Sequence, residues 1–345
     1  MSIYLFATII SALLHLALII PFIHLLYRLK FQRAEQHTRD AFNSPTPIFD
    51  SFHNTKQGTP VGGGILMVII ITTLFIGVLL LMAVFNHAIT SNYPSILSEI
   101  KIILFTFISF AFLGVYDDIQ KMFHIQEKQF FGLRVRHKFV LEIILSAIIG
   151  YWMWTELKIS FIHIPFFGIF DIGFVFIFFV IFIVTAFANA VNITDGLDGL
   201  SSGVLLIALM GFWVVARSII DVPTSLFIAI WIGALISFLY FNTFPARIFL
   251  GDTGSLSFGA TFAVIGLIIG KTFVLPVIGG VFVIEITSSF IQLMGKKFLH
   301  RKIFPVAPFH LWLQLRGWQE PKVVMRLWVI SMLFVLFGLM IAFMK

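Results

Sequence analysis

Long apolar runs dominate the chain, and its polar residues gather between those runs rather than alternating with apolar ones. Ten runs read as membrane-spanning helices, at about 20 residues per span. They are residues 2–26, 61–86, 102–116, 139–154, 173–190, 203–219, 225–241, 255–270, 273–292 and 327–344. The pattern predicts an all-α, polytopic integral membrane protein forming one domain over residues 1–345. The first run lacks a basic n-region and a small-residue cleavage site, so it reads as a span and not as a signal peptide. Pro276, Gly279 and Gly280 fall inside the ninth run, which is therefore expected to be bent or broken.

Composition agrees and narrows the chemistry. The chain is 59% hydrophobic and only 11% charged, with 43 Phe, whereas soluble domains are about 25% charged. Cysteine is absent, which excludes disulfide scaffolds, thiolate zinc sites and cysteine nucleophiles. Lys and Arg outnumber Asp and Glu by 23 to 16. In a soluble protein that surplus would suggest nucleic acid; here its position matters more than its sum. Residues 28–60, 117–138, 191–202, 242–254 and 293–326 form one set of loops and carry 18 of the 23 basic residues. Only Lys101, Lys158, Arg217, Lys271 and Lys345 lie on the other side. The positive-inside rule makes the basic loops cytoplasmic and places both termini outside. No nucleic-acid partner is implied; the basic face suits anionic lipid or an anionic substrate.

Against so little charge, five acids at the cytoplasmic mouths of spans stand out. Asp117 and Asp118 end the third span in GVYDDIQK, Asp195 and Asp198 lie in NAVNITDGLDGL, and Asp252 lies in IFLGDTGSL. A single acid at a span end is an ordinary solvated loop residue. Five on one face point to chemistry. Adjacent carboxylates repel unless a cation or a shared proton offsets them, and oxygen-only donors without Cys favour Mg²⁺, with Mn²⁺ as a substitute, over Zn²⁺. Mg²⁺ takes one or two carboxylates together with substrate phosphate. The glycines around these acids place side-chain-free turns at helix N-termini, where free N–H groups and the helix dipole favour anions. Glu142 and Glu285 lie within predicted spans, where an ionised group is expensive. Glu142 sits one turn beyond Lys138 and is expected to pair with it, whereas Glu285 is expected to reach the cytoplasmic cavity. His310, between Pro308 and Trp312, is the histidine most exceptional in its setting.

Taken in order, these residues resemble the polyprenyl-phosphate N-acetylhexosamine-1-phosphate transferases of the glycosyltransferase 4 family, and most closely the phospho-N-acetylmuramoyl-pentapeptide-transferase branch. The resemblance rests on TKQGTPVGGG, GVYDDIQK, GLRVRHK, NAVNITDGLDGL, FNTFPARIFLGDTGSL, PVIGGVFVIE and APFHLWLQLRGWQEPKVVMRLWVIS. It implies transfer from UDP-MurNAc-pentapeptide to undecaprenyl phosphate, giving lipid I and UMP with Mg²⁺, at the cytoplasmic face of the bacterial inner membrane. It also implies a homodimer. By motif position, Asp252 would be the metal ligand, with Asp117 and Asp118 engaging the lipid phosphate or supporting the metal and Asp117 acting as general base. Asn192 and Asp195 would line the phosphate region. Asp198 with the Gly196–Leu197 backbone would hold uridine, Phe249 would stack on uracil, and Lys56 would lie beside it. Lys121, Lys138, Asn242 and Glu285 match polar positions of the same cavity, and His310 would stand near the diphosphate.

Two positions depart from the family. Where it shows three successive histidines, this chain has His310, Leu311 and Trp312, and Val61 replaces a Thr. An altered donor site is implied, and a sister transferase that moves GlcNAc-1-phosphate or another UDP-N-acetylhexosamine phosphate is the alternative. A transporter is the remote alternative: it would place acids near the midplane and show repeated halves, and neither pattern is present.

Overall fold

The computed structural model describes residues 2–33, 56–122 and 135–344. Residues 34–55 and 123–134, which include Arg39, Lys128 and Arg134 of the expected basic loops, lie outside the described residues. The described helices are α1 (Ser2–Arg28), α2 (Gly63–Val84), α3 (Ile96–Met122), α4 (Val135–Thr155), α5 (Val175–Thr194), α6 (Leu200–Ser218), α7 (Val222–Asn242), α8 (Gly251–Ile268), α9 (Val274–Ile278), α10 (Gly280–Phe298), α11 (Phe309–Leu315) and α12 (Glu320–Phe343). Nine of them are long and apolar enough to cross a membrane, so this is an all-α multi-pass membrane protein.

The ninth expected span is divided, as Pro276 and the glycines predict. Helix α9 stops at Ile278 and α10 resumes at Gly280. The glycines also allow close packing: a Cβ at Gly279 would meet the Phe187 ring at 2.7 Å, and one at Gly280 would meet the Phe334 ring at 2.7 Å. One feature lies outside the apolar-run reading. Between α4 and α5, strands β1 (Phe161–Ile164) and β2 (Gly168–Asp171) form an antiparallel hairpin, with Phe161 opposite Asp171 and Ile164 opposite Gly168. It stands at the end of the bundle opposite the acid-rich loops.

Helices α7 and α8 form the centre. Helix α8 packs against α2, α3 and α5, while α7 packs against α1, α2 and α6. Between them the wholly buried Trp231 meets Phe107, Phe227 and Phe258, with ring centroids 5.9, 5.8 and 5.1 Å away. Lipid tails are as apolar as these side chains, so association depends on close packing and on hydrogen bonds between helices. Ser257 Oγ donates to Phe107 O at 2.7 Å. Gly114 of α3 lies so near α8 that a Cβ there would overlap the backbone of Asp252 and Thr253.

Several helices outrun their apolar runs. Helix α3 continues to Met122, α4 begins before Lys138, α8 begins at Gly251 and α12 begins at Glu320. The apolar run marks the lipid-facing length, whereas the helix continues wherever protein neighbours satisfy its backbone. Polar residues at the span mouths therefore ride on rigid helical turns. At the opposite end of the bundle, Asp221 Oδ1 accepts from Thr224 N at 3.0 Å to cap α7, and Thr224 Oγ1 donates to the buried Glu99 of α3 at 2.7 Å.

Gly114→Ala is expected to force α3 from α8 and lower stability by about 1–3 kcal/mol. Gly77→Ala, whose Cβ would meet open space, is the control and should not. Thermal unfolding of the two variants in detergent checks this.

Candidate active site

Because α3 stays helical through Met122, Asp117 and Asp118 are not a facing pair. Successive residues on a helix diverge by about 100°, and the two carboxylates take different partners. Asp118 turns to the start of α8. Its Oδ1 accepts from Asp252 N at 2.9 Å, and its Oδ2 accepts from Thr253 N at 2.9 Å and Thr253 Oγ1 at 2.7 Å. The carboxylate thus caps a helix N-terminus from a neighbouring helix, satisfying orphan N–H groups and complementing the dipole. Gly251, at φ +79°, makes room: a Cβ there would lie 2.8 Å from Asp118 Oδ2.

Asp117 meets the lysines instead. Its Oδ2 lies 3.1 Å from Lys121 Nζ, one helical turn on, and 3.0 Å from Lys138 Nζ of α4. Both ammonium groups also reach Asp252 Oδ2, at 2.9 and 2.6 Å. Two carboxylates and two lysines from α3, α4 and α8 thus form one closed ion cluster. Lys138 goes to this cluster, and not to Glu142 as its spacing suggested; Glu142 accepts from Asn189 Nδ2 at 2.5 Å.

Of the three acids expected at a metal, Asp117 and Asp252 share the lysine cluster, and Asp118 binds the amides at the start of α8. Among the described residues, no three His, Cys, Asp or Glu side chains converge as a cation cage. A pair of hard carboxylates with no thiolate or imidazole beside them fits Mg²⁺, which leaves most of its positions to water and substrate phosphate. The adjacent Lys121 and Lys138 carry compact positive charge of the kind that suits an anionic group.

Beside this cluster, Asn192 Nδ2 donates to Ser255 Oγ at 2.8 Å, tying the end of α5 to the first turn of α8. Asp195, just past α5, has its pKa held well above the usual carboxylate range, first by burial and then by the Asp252 charge, against the pull of Arg33 and Lys56.

The segment expected to bind the nucleoside is built from four parts of the chain. Residues 60–64 run alongside 249–250: Phe249 N donates to Pro60 O at 2.8 Å, Gly63 N to Phe249 O at 2.9 Å, and Gly64 N to Leu250 O at 2.9 Å. Val61, in place of the expected Thr, is buried at this seam. The Arg33 guanidinium lies over the Phe249 ring, 5.4 Å from its centroid. Lys56 Nζ donates to Asp198 Oδ1 at 2.7 Å and to Gly196 O at 3.3 Å. Asp198 Oδ2 accepts from Ala246 N at 2.9 Å, and Leu197 is buried. Asn242 serves the scaffold: its Oδ1 accepts from Gly199 N at 3.2 Å and Ser202 Oγ at 2.7 Å, while its Nδ2 donates to Ile248 O at 2.9 Å.

Glu285 does not open onto the cavity as a free acid. It is fully buried on α10, and its Oε2 lies 3.0 Å from His310 Nδ1 and accepts from His310 N at 3.3 Å. That contact aims His310 Nε2, which has no hydrogen-bond partner among the described residues, toward Gly196, where a Cβ would lie 2.8 Å from it. The departures beside it have packing roles: Leu311 is buried, and Trp312 carries Arg316 over its ring at 4.1 Å. Glu320 and Arg33 are the site-side residues that sequence reading passed over. The signal for Glu320 was present, since an acid followed by Pro321 marks a helix start.

Asp118→Ala is expected to lower stability by at least about 2 kcal/mol, because it strands donors at the α8 terminus; chemical unfolding in detergent measures it. Asp195→Asn is expected to raise the melting temperature at neutral pH. A carboxyl whose folded pKa is raised costs stability as pH climbs above the ordinary carboxylate range, so the advantage over wild type should vanish as pH falls below that range.

The family model for glycosyl transferase family 4 matches residues 100–270, the stretch that contains Asp117, Asp118, Asp195, Asp198 and Asp252. The phospho-N-acetylmuramoyl-pentapeptide-transferase of Clostridium novyi is 33% identical over 288 residues, covering 83% of each chain. That of Pelagibacter ubique is 37% identical over 305 residues, covering 82% of this chain and 80% of its own. That of Rickettsia prowazekii is 36% identical over 334 residues, covering 90% and 86%. With identity at this level over more than four-fifths of the chain, it belongs to the phospho-N-acetylmuramoyl-pentapeptide-transferase family.

Proposed function

We propose that this protein transfers phospho-MurNAc-pentapeptide from UDP-MurNAc-pentapeptide to undecaprenyl phosphate, forming lipid I and UMP, at the cytoplasmic face of the bacterial inner membrane. The observation that carries this reading is the Asp117–Asp252 pair bridged by Lys121 and Lys138. It stands at a membrane-facing mouth beside the Gly196–Asp198 loop. A phosphate monoester on a lipid and a nucleoside diphosphate on a soluble donor can meet only at such a boundary.

Phosphoryl transfer needs positioned reactants and neutralised charge more than covalent help from protein. Asp252 and Asp117 would hold Mg²⁺, which when bound neutralises diphosphate charge and stabilises the leaving UMP. Lys121 and Lys138 stand where they can pass from the carboxylates to incoming phosphate oxygens. Asp117 accepts the proton of the lipid phosphate. The freed oxygen attacks the β-phosphorus, the bond from that phosphorus to the bridging oxygen breaks, and UMP departs with the bridging oxygen. His310, oriented by Glu285, faces the Gly196 turn on the donor side.

Purified protein with undecaprenyl phosphate and Mg²⁺ should release UMP from UDP-MurNAc-pentapeptide. Chelation should stop release and Mg²⁺ restore it, and Asp252→Asn should lower kcat at least about a hundredfold. UMP release from UDP-GlcNAc but not from the muramoyl donor would overturn the assignment. Phosphorylated protein accumulating with donor alone would replace direct attack by a phospho-enzyme route.

A further inference from the structure

The last helix reaches into the nucleotide end of the site through Glu320. Its Oε1 accepts from Lys56 Nζ at 2.5 Å and from the backbone N–H of Asp198 at 2.7 Å. Lys56 in turn holds Asp198 Oδ1 and Gly196 O. All three side chains are nearly out of solvent, at 5% for Lys56, 4% for Asp198 and 10% for Glu320. One oxygen thus ties α12, the chain ahead of α2 and the turn after α5 together. The arrangement is built, since buried charges persist only when paired and hydrogen-bonded. A second tie from the same helix supports it: Trp328 Nε1 donates to Gly199 O at 3.2 Å, and the ring packs where Gly203 leaves no side chain.

We infer that Glu320 is a positioning residue for the UDP end of the donor, setting the shape of the Gly196–Asp198 turn and the place of the Lys56 ammonium. The inference rests on the transferase reading above. The turn's conformation depends on two donors meeting one carboxylate oxygen, so loss of that charge weakens the hold on the Lys56 ammonium and on the Asp198 N–H together. Among the described residues, the acceptor-side cluster has its own pairing, with Asp117 and Asp252 each meeting Lys121 and Lys138. Donor binding should therefore suffer while acceptor binding and the chemical step do not. Bulk structural damage would lower all three.

The test is Glu320→Gln in the full-length protein, with wild type assayed in parallel. The KM for UDP-MurNAc-pentapeptide should rise at least tenfold, and the inhibition constant of UMP should rise by a similar factor. The values of kcat and the KM for undecaprenyl phosphate should stay within about threefold. Glu320→Asp should recover part of the donor affinity. Lys56→Gln should also weaken UMP binding, and the double variant should be little worse than the weaker single one, because both changes break one bridge. Additive losses in that cycle, or a donor KM unchanged by Glu320→Gln, would overturn the inference. If Glu320→Gln does not fold, UMP inhibition of Glu320→Asp decides: wild-type affinity for UMP would overturn it. Failure of the wild type to use the muramoyl donor would instead overturn the functional reading, a separate outcome.

Discussion

Helix α8 begins in the polar mouth of a membrane protein, and its first N–H groups have no partner within their own helix. Asp118 of α3 supplies one, binding the amides of Asp252 and Thr253 and the Thr253 hydroxyl. That cap, together with the missing side chain at Gly114, sets how closely α3 and α8 approach. Once it is made, Asp252 in the first turn of α8 can face Asp117 on the adjoining surface of α3. Lys121 follows from the helical spacing, and Lys138 enters from α4. The polar chemistry at this mouth is therefore a consequence of one interhelical cap.

Charge economy explains why so few residues account for the site. An ionised group near lipid is tolerated only with a partner or a water-filled cavity, and four of the five acids of the mouth, together with Glu320, have partners of three kinds, while Asp195 is held toward its neutral form by burial. Asp118 has amides, Asp117 and Asp252 share two ammonium groups, and Asp198 and Glu320 share Lys56. Each pairing joins segments far apart in the chain. Paired charges of this kind add modestly to stability; their main effect is to fix the geometry of the mouth.

Much of this was legible in the sequence. The apolar runs marked the spans, Pro276 with Gly279 and Gly280 marked the broken one, and five acids in a charge-poor chain marked the mouth. Other parts were not. The apolar run of the third span ends at residue 116, yet α3 continues to Met122, and that added turn separates Asp117 from Asp118. Hydropathy carries no signal for it, because the helix there is sustained by protein contacts rather than by lipid. Glu285 was legible as an unusual acid but not as the partner of His310, since α10 and α11 meet only after the chain folds back. The hairpin at Phe161–Asp171 is too short to compete with the apolar pattern around it.

The sequence by itself determined the class of the molecule and the inventory of its chemistry: an all-α membrane protein, oxygen ligands without thiols, glycine turns beside acids, and lysines on the same side. These follow from composition and from local spacing, which do not depend on distant contacts. Only the tertiary structure decided the assignment of tasks. It gave Asp118 to a helix terminus, Asp117 and Asp252 to the lysines, Asn242 to the scaffold and Glu320 to Lys56 and the Asp198 amide. A carboxylate's role is set by which donors lie within about 3 Å, and for these residues most of those donors come from other helices.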